Sequence, residues 1–204
     1  MKTQSFVKQI TAAILLSGLA AANVGAVQIL CSNDTSKNHM SIGSGTVDAC
    51  LASGVGNIQG TLPNDPFLGG VGSEYTFAGK IDGAGAGGTG TANIFNIIYS
   101  QGAPDANKSS TGTFAFDADF WNTWSAGAIA FKFGTGNEPD EWFVYSLDSN
   151  VSSGSWSFNN VLGKGGGLSH VNLYALNRVS VPEPGTLALL GLGLAAMGLK
   201  RRLS

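Results

Sequence analysis

Charge of either sign is scarce in this chain. Charged residues are 12% of its 204 positions, about half the usual share. Low charge beside 43% hydrophobic content excludes intrinsic disorder, which needs the opposite balance. Cations are scarcest in the interior. Five of the eleven (Lys2, Lys8, Lys200, Arg201, Arg202) and one of the thirteen acids (Glu183) lie near the termini, leaving six cations against twelve acids. Such a field repels phosphate backbones, so nucleic acid is excluded as a partner. Sustained helical periodicity is missing between the termini, apart from one turn near Phe120 to Trp124. No Gly-x-Ser-x-Gly elbow occurs. The glycine-rich runs at 83–90 and 163–167 are no phosphate loops, because Lys164 lacks a following Ser or Thr. With His39 and His170 distant from the cysteines, no zinc spacing exists. No metal, cofactor or catalytic set is expected.

Cysteine is limited to Cys31 and Cys50. In an oxidising compartment this pair reads as one disulfide. Two free thiols or one catalytic cysteine are the alternatives. Both flanks are polar and glycine-rich, so the bridge is expected to staple an irregular N-terminal segment with little core of its own.

What is present from about residue 71 onward is period two. Tyr75, Phe77 and Ile81 mark one strand and 94–99 a second. Thr113 to Asp117, 128–133, 142–147, 155–158 and 171–176 follow, with Phe131 and Phe133 on one face and Lys132 on the other. Short strands with Gly and Asn turns predict an all-β domain, an antiparallel sandwich of jelly-roll-like kind spanning 27–180. Trp142 and Trp156 fit its core.

The two ends are apolar. At the N-terminus, Lys2 and Lys8 precede an apolar core at 10–22, and Val24-Gly25-Ala26 supplies small residues. This is a secretory signal peptide over 1–26, cleaved after Ala26, with 20–22 as the alternative site. At the C-terminus stand Val181, Pro182, Glu183 and Pro184, then an uncharged run at 186–199, then Lys200, Arg201 and Arg202. The prolines keep the first part extended. The run closes its backbone hydrogen bonds in lipid only as a helix, and the cations stop it on the cytoplasmic side. At fourteen residues it is roughly 21 Å long, short of the ~20 residues of a stable span. A transient anchor fits that length.

These three parts in order resemble the PEP-CTERM sorting signal of Gram-negative bacteria, over 181–202. The resemblance implies transient residence at the inner membrane. It implies recognition of Pro182, Glu183 and Pro184 by a membrane-embedded exosortase, removal of the tail, and release to the cell surface or extracellular matrix. More loosely, residues 131–174 resemble a module common among such surface proteins, through Phe131-Lys132-Phe133, Trp142-Phe143-Val144-Tyr145, Gly154-Ser155-Trp156-Ser157 and Leu168-Ser169-His170-Val171-Asn172. That likeness brings no catalytic residue.

Candidate sites in the interior are few. Ser169-His170 suggests a nucleophile and base, but neighbours on a strand point to opposite faces. Asp117 and Asp119 share one face and could hold a cation or act as paired carboxylates; Glu138, Asp140 and Glu141 form a second acidic group. Solvated turns are the expectation for both. Trp121 and Trp124 lie among Asn, Thr, Ser and Gly, and exposed indoles there would stack on sugar rings. The reading is an exported, non-enzymatic surface or matrix protein with a structural, adhesive or exopolysaccharide-binding role. The alternative is an extracellular hydrolase of matrix polysaccharide, which requires a cleft holding two carboxyls roughly 5–10 Å apart.

Overall fold

The computed structural model of the protein describes residues 27–32, 34, 36–83, 93–136 and 140–177. The expected signal peptide with Ala26, the sorting signal with Val181 to Pro184, and Lys200 to Arg202 lie outside the described residues, as does Glu138. No helix among the described residues is long and apolar enough to cross a membrane.

Among the described residues, ten strands make two five-stranded antiparallel sheets. The first contains β1 (Gln28–Cys31), β2 (His39–Gly43), β5 (Ile98–Gln101), β6 (Ser110–Ala115) and β9 (Ser153–Asn159), in the order β1-β2-β9-β6-β5. The second contains β3 (Val47–Gly54), β4 (Thr76–Asp82), β7 (Ala126–Gly134), β8 (Trp142–Leu147) and β10 (Gly167–Leu176), in the order β3-β8-β7-β10-β4. One helical turn, α1 (Phe120–Thr123), joins β6 to β7.

Alternation explains the packing. Met40 and Ile42 of β2, Phe114 of β6, and Trp156 and Phe158 of β9 point inward, against Phe131 and Phe133 of β7, Phe143 and Tyr145 of β8, and Val171 and Leu173 of β10. Phe133 stacks on Phe158 with ring centroids 3.9 Å apart and planes 8° from parallel. Burying each such side chain is worth about 1.5–3 kcal/mol. The two sheets thus share one core, as a sandwich does.

β7 is buried along both faces, up to Phe133. Its inward residues are large. Its outward ones, Ala128 and Ala130, lie under a second apolar cluster with Ile58, Phe67, Leu68, Trp142, Val144 and Tyr174. Segment 55–75 lies over the second sheet and supplies that cover. Asp65 fastens it: the carboxylate is fully buried and accepts from Gly60 N, Phe67 N (2.9 Å), Leu68 N (3.0 Å) and Tyr174 Oη (2.8 Å).

The N-terminal part departs from expectation. Residues 27–54 hold three strands rather than an irregular segment, and Cys31, Met40, Ile42 and Val47 are core residues. Cys31 and Cys50 are bridged, Cα to Cα 5.2 Å. Since Cys31 ends β1 and Cys50 sits in β3, the bridge ties one sheet to the other. The reason is short alternation: a few inward apolar residues suffice when the neighbouring strands supply the rest of the core. The strand expected at 94–99 starts only at Ile98. Before it, Asn93 exchanges side-chain bonds with Ile97 N and O and holds a turn instead.

Candidate functional site

The outer face of the first sheet is built from the residues alternating with its core positions. Register aligns Ser41, Ser157 and Thr111 across β2, β9 and β6. A second row aligns Ser155, Thr113 and Ser100 across β9, β6 and β5. Adjacent strands stand about 4.8 Å apart, so the hydroxyls form a flat lattice; Ser100 Oγ and Thr113 Oγ1 are 2.8 Å apart. An open groove of about 550 Å³ runs over this face. Gln28, Ser41, Thr111, Thr113, Ser155 and Ser157 line it, with no charged side chain among the lining residues. The sequence signal was the Ser-x-Ser-x-Ser of β9 beside Thr111-Gly112-Thr113. Both segments read as strands, but that they lie side by side is seen only once strand pairing joins the two.

The outer face of the second sheet is different, with its polar groups buried beneath segment 55–75. Lys132 Nζ pairs with Glu141 Oε2 at 2.9 Å, and Thr135 Oγ1 donates to the same oxygen at 3.2 Å. Gly56 N donates to Glu141 Oε1 at 2.6 Å, and Ser53 Oγ to Asp140 at 2.7 Å. Asp140 and Glu141, expected as solvated turn residues, are instead buried and hydrogen-bonded. The strand pairings β7–β8 and β3–β8 draw them inward. Tyr174 Oη and the buried Tyr145 Oη have their protonation held well above the usual range by burial.

His170 is 4% exposed, and its Nε2 lies 2.6 Å from Ile58 O. Nε2 therefore carries the proton and donates, which leaves Nδ1 as acceptor, 3.4 Å from Ser169 Oγ. A bulge in β10 between Leu168 and His170 turns the two side chains together, contrary to their expected opposite faces. The pair makes a poor base and nucleophile. Burial pushes the imidazole down to about 4; the Ile58 carbonyl and Asp82 oppose this, and Lys80 and Lys132 reinforce it.

Trp121 and Trp124, expected in solvent, are half-buried against the main core. The turn of α1 inserts Phe120 and folds both indoles over that end of the sandwich. Trp121 Nε1 donates to Val151 O at 3.1 Å, and its ring meets Phe120 edge-on at 4.9 Å. Neither stands free on the surface. Asp117 and Asp119 are exposed; they accept from Asn96 (2.6 Å) and Asn122 (3.0 Å). Asp48 and Asp148 contact each other at the same end, and the hydrogen bond and charge of Asp48 raise the Asp148 carboxyl above its ordinary range. Among the described residues, no three His, Cys, Asp or Glu side chains gather as metal ligands. A second cleft, of about 470 Å³, opens between the β4 and β5 edges, lined by Ile81, Asp82, Tyr99, Gln101, Gly167 and Leu168. Its one carboxylate, Asp82, is held by Lys80 at 2.7 Å.

A family model for the PEP-CTERM protein-sorting motif matches residues 180–202. The chain therefore carries a PEP-CTERM sorting signal. Such signals are processed by exosortase, a membrane enzyme, and imply export with placement at the cell surface or outside it. No curated protein and no solved structure matches the chain.

Proposed function

We propose that the exported domain is a non-enzymatic surface or matrix component that holds neutral polysaccharide against the outer face of its first sheet. The observation supporting this reading is the pair of registered hydroxyl rows in a groove whose lining carries no charge. A hydroxyl donates and accepts, so it complements a sugar hydroxyl in either sense. A flat strand lattice suits an extended glycan chain, and an uncharged face gives binding that does not depend on salt.

The test is a binding array of the processed protein against neutral polysaccharides, the host's own exopolysaccharide included. Binding unaffected by high salt is expected. Thr111→Val with Ser157→Ala should weaken it by about 1 kcal/mol per hydroxyl, roughly fivefold each. Silence across the array, or equal binding by the variant, sinks the reading.

A further inference from the structure

Three of the four sheet edges are blunted. β3 carries Asp48 and two register shifts against β8. β4 carries Lys80 and Asp82. Just ahead of β5, the Asn93 side chain already bonds Ile97 N and O. Charges and bulges of this kind keep a sheet edge from pairing with another chain. β1, the remaining edge, lacks them. Its pairing with β2 runs without a shift, and neither strand holds an Asp, Glu, Lys or Arg. Val27 and Leu30, 65% and 41% exposed, leave apolar surface along it.

The ladder fixes which backbone groups of β1 point outward. Ser44 N donates to Val27 O at 2.6 Å. Antiparallel bonds recur at every second residue, so Val27, Ile29 and Cys31 bond toward β2. Gln28 and Leu30 therefore aim their N–H and C=O groups at the open edge. Among the described residues, no strand pairs with them there. Two such residues, two apart, are complementary to themselves. A two-fold axis through Ile29, perpendicular to the sheet, sets Gln28 of each copy opposite Leu30 of the other. Each copy offers two N–H and two C=O groups, so four bonds use every outward group. The same operation covers Val27, Ile29 and Leu30 with the matching strand of the second copy. Charge favours this meeting place. The interior holds six cations against twelve acids, so copies repel each other least where charge is absent.

We propose that a second copy of this chain pairs with β1 across that axis. Both outer faces of the first sheet then lie on one side, and the two grooves, each bordered by Gln28, meet across the axis. The pairing stands whether or not the groove holds a glycan. An edge of four residues makes a small interface, so the dimer is weak. The experiment is sedimentation of the processed protein without sugar, from about 10 µM to 1 mM, and a monomer–dimer equilibrium is expected. Gln28→Pro removes an outward N–H and no bond of the β1–β2 ladder. It should weaken dimerisation about thirtyfold, the loss of two hydrogen bonds. Leu30→Lys, which leaves the backbone as it is, should also weaken it by placing a charge on the edge. Ile29→Cys with oxidised glutathione should give a covalent dimer, because facing residues at such a pair stand about 4.5 Å apart. A monomer at every concentration, or a dimer that Gln28→Pro leaves intact, overturns the proposal. Association without the Ile29→Cys link means that β1 meets a different edge, and overturns it too.

Discussion

A neutral imidazole satisfies Ile58 O at little cost; a charged one would have to be buried between Lys80 and Lys132. This sets the sign of the pH dependence at His170. Its folded value, about 4, lies below the ordinary 6.5, so the unfolded chain binds the extra proton between them. The stabilisation is complete above pH 6.5, falls as pH drops toward 4, and changes no further below that. The swing is at most about 3 kcal/mol. Denaturant melts from pH 7 to 4 should show it, and His170→Gln should flatten it. An unchanged slope in the variant would place the loss in other groups. Lys132 and Glu141 make a second residue-scale case. Removing one charge leaves the other buried alone, so Glu141→Gln or Lys132→Met should each cost about 3–5 kcal/mol in a melt. The pairing itself was invisible in the sequence, because Glu141 looked like part of an acidic turn. Its burial depends on Gly56, Thr135 and Lys132, which only the folded sheet brings near.

At the scale of elements, the legible strands were those with large residues on alternate positions. β7, β8 and β10 carry Phe, Trp, Tyr and Val and declared themselves. β1, β2 and β3 did not, because their outward positions mix Gln, Leu, His, Ser, Asp and Ala and their inward ones are few. The groove on the first sheet was hidden for the same reason: a hydroxyl face is a property of three paired strands, and no single one announces it. The bridge was legible as a pair, but its placement between sheets was not. Cys31→Ser should cost about 3 kcal/mol on the chain-entropy model, lowering the melting temperature by roughly 6–12 °C. Reductant should erase the difference between variant and wild type; an equal gap in reductant would mean that the bridge contributes nothing.

For the whole molecule, the sorting signal was the most readable feature, because proline geometry, apolarity and terminal charge are local properties. Replacing Pro182, Glu183 and Pro184 with alanine should leave full-length protein in the inner membrane fraction, seen as a heavier band on an immunoblot. Release at the wild-type rate would count against processing by exosortase. The role of the exported domain was far less readable, since the sheet face that supports it exists only after the strands of the first sheet have paired.

Strand order has a consequence for timing. β10, last in the chain, lies between β7 and β4 in the second sheet, so neither neighbour has its full set of partners until residue 176 is available. In a polypeptide crossing a membrane with its N-terminus leading, the sandwich cannot close until translocation is nearly finished. A product stalled midway would emerge with β4 unpaired and one edge of β7 bare, open to any protease outside.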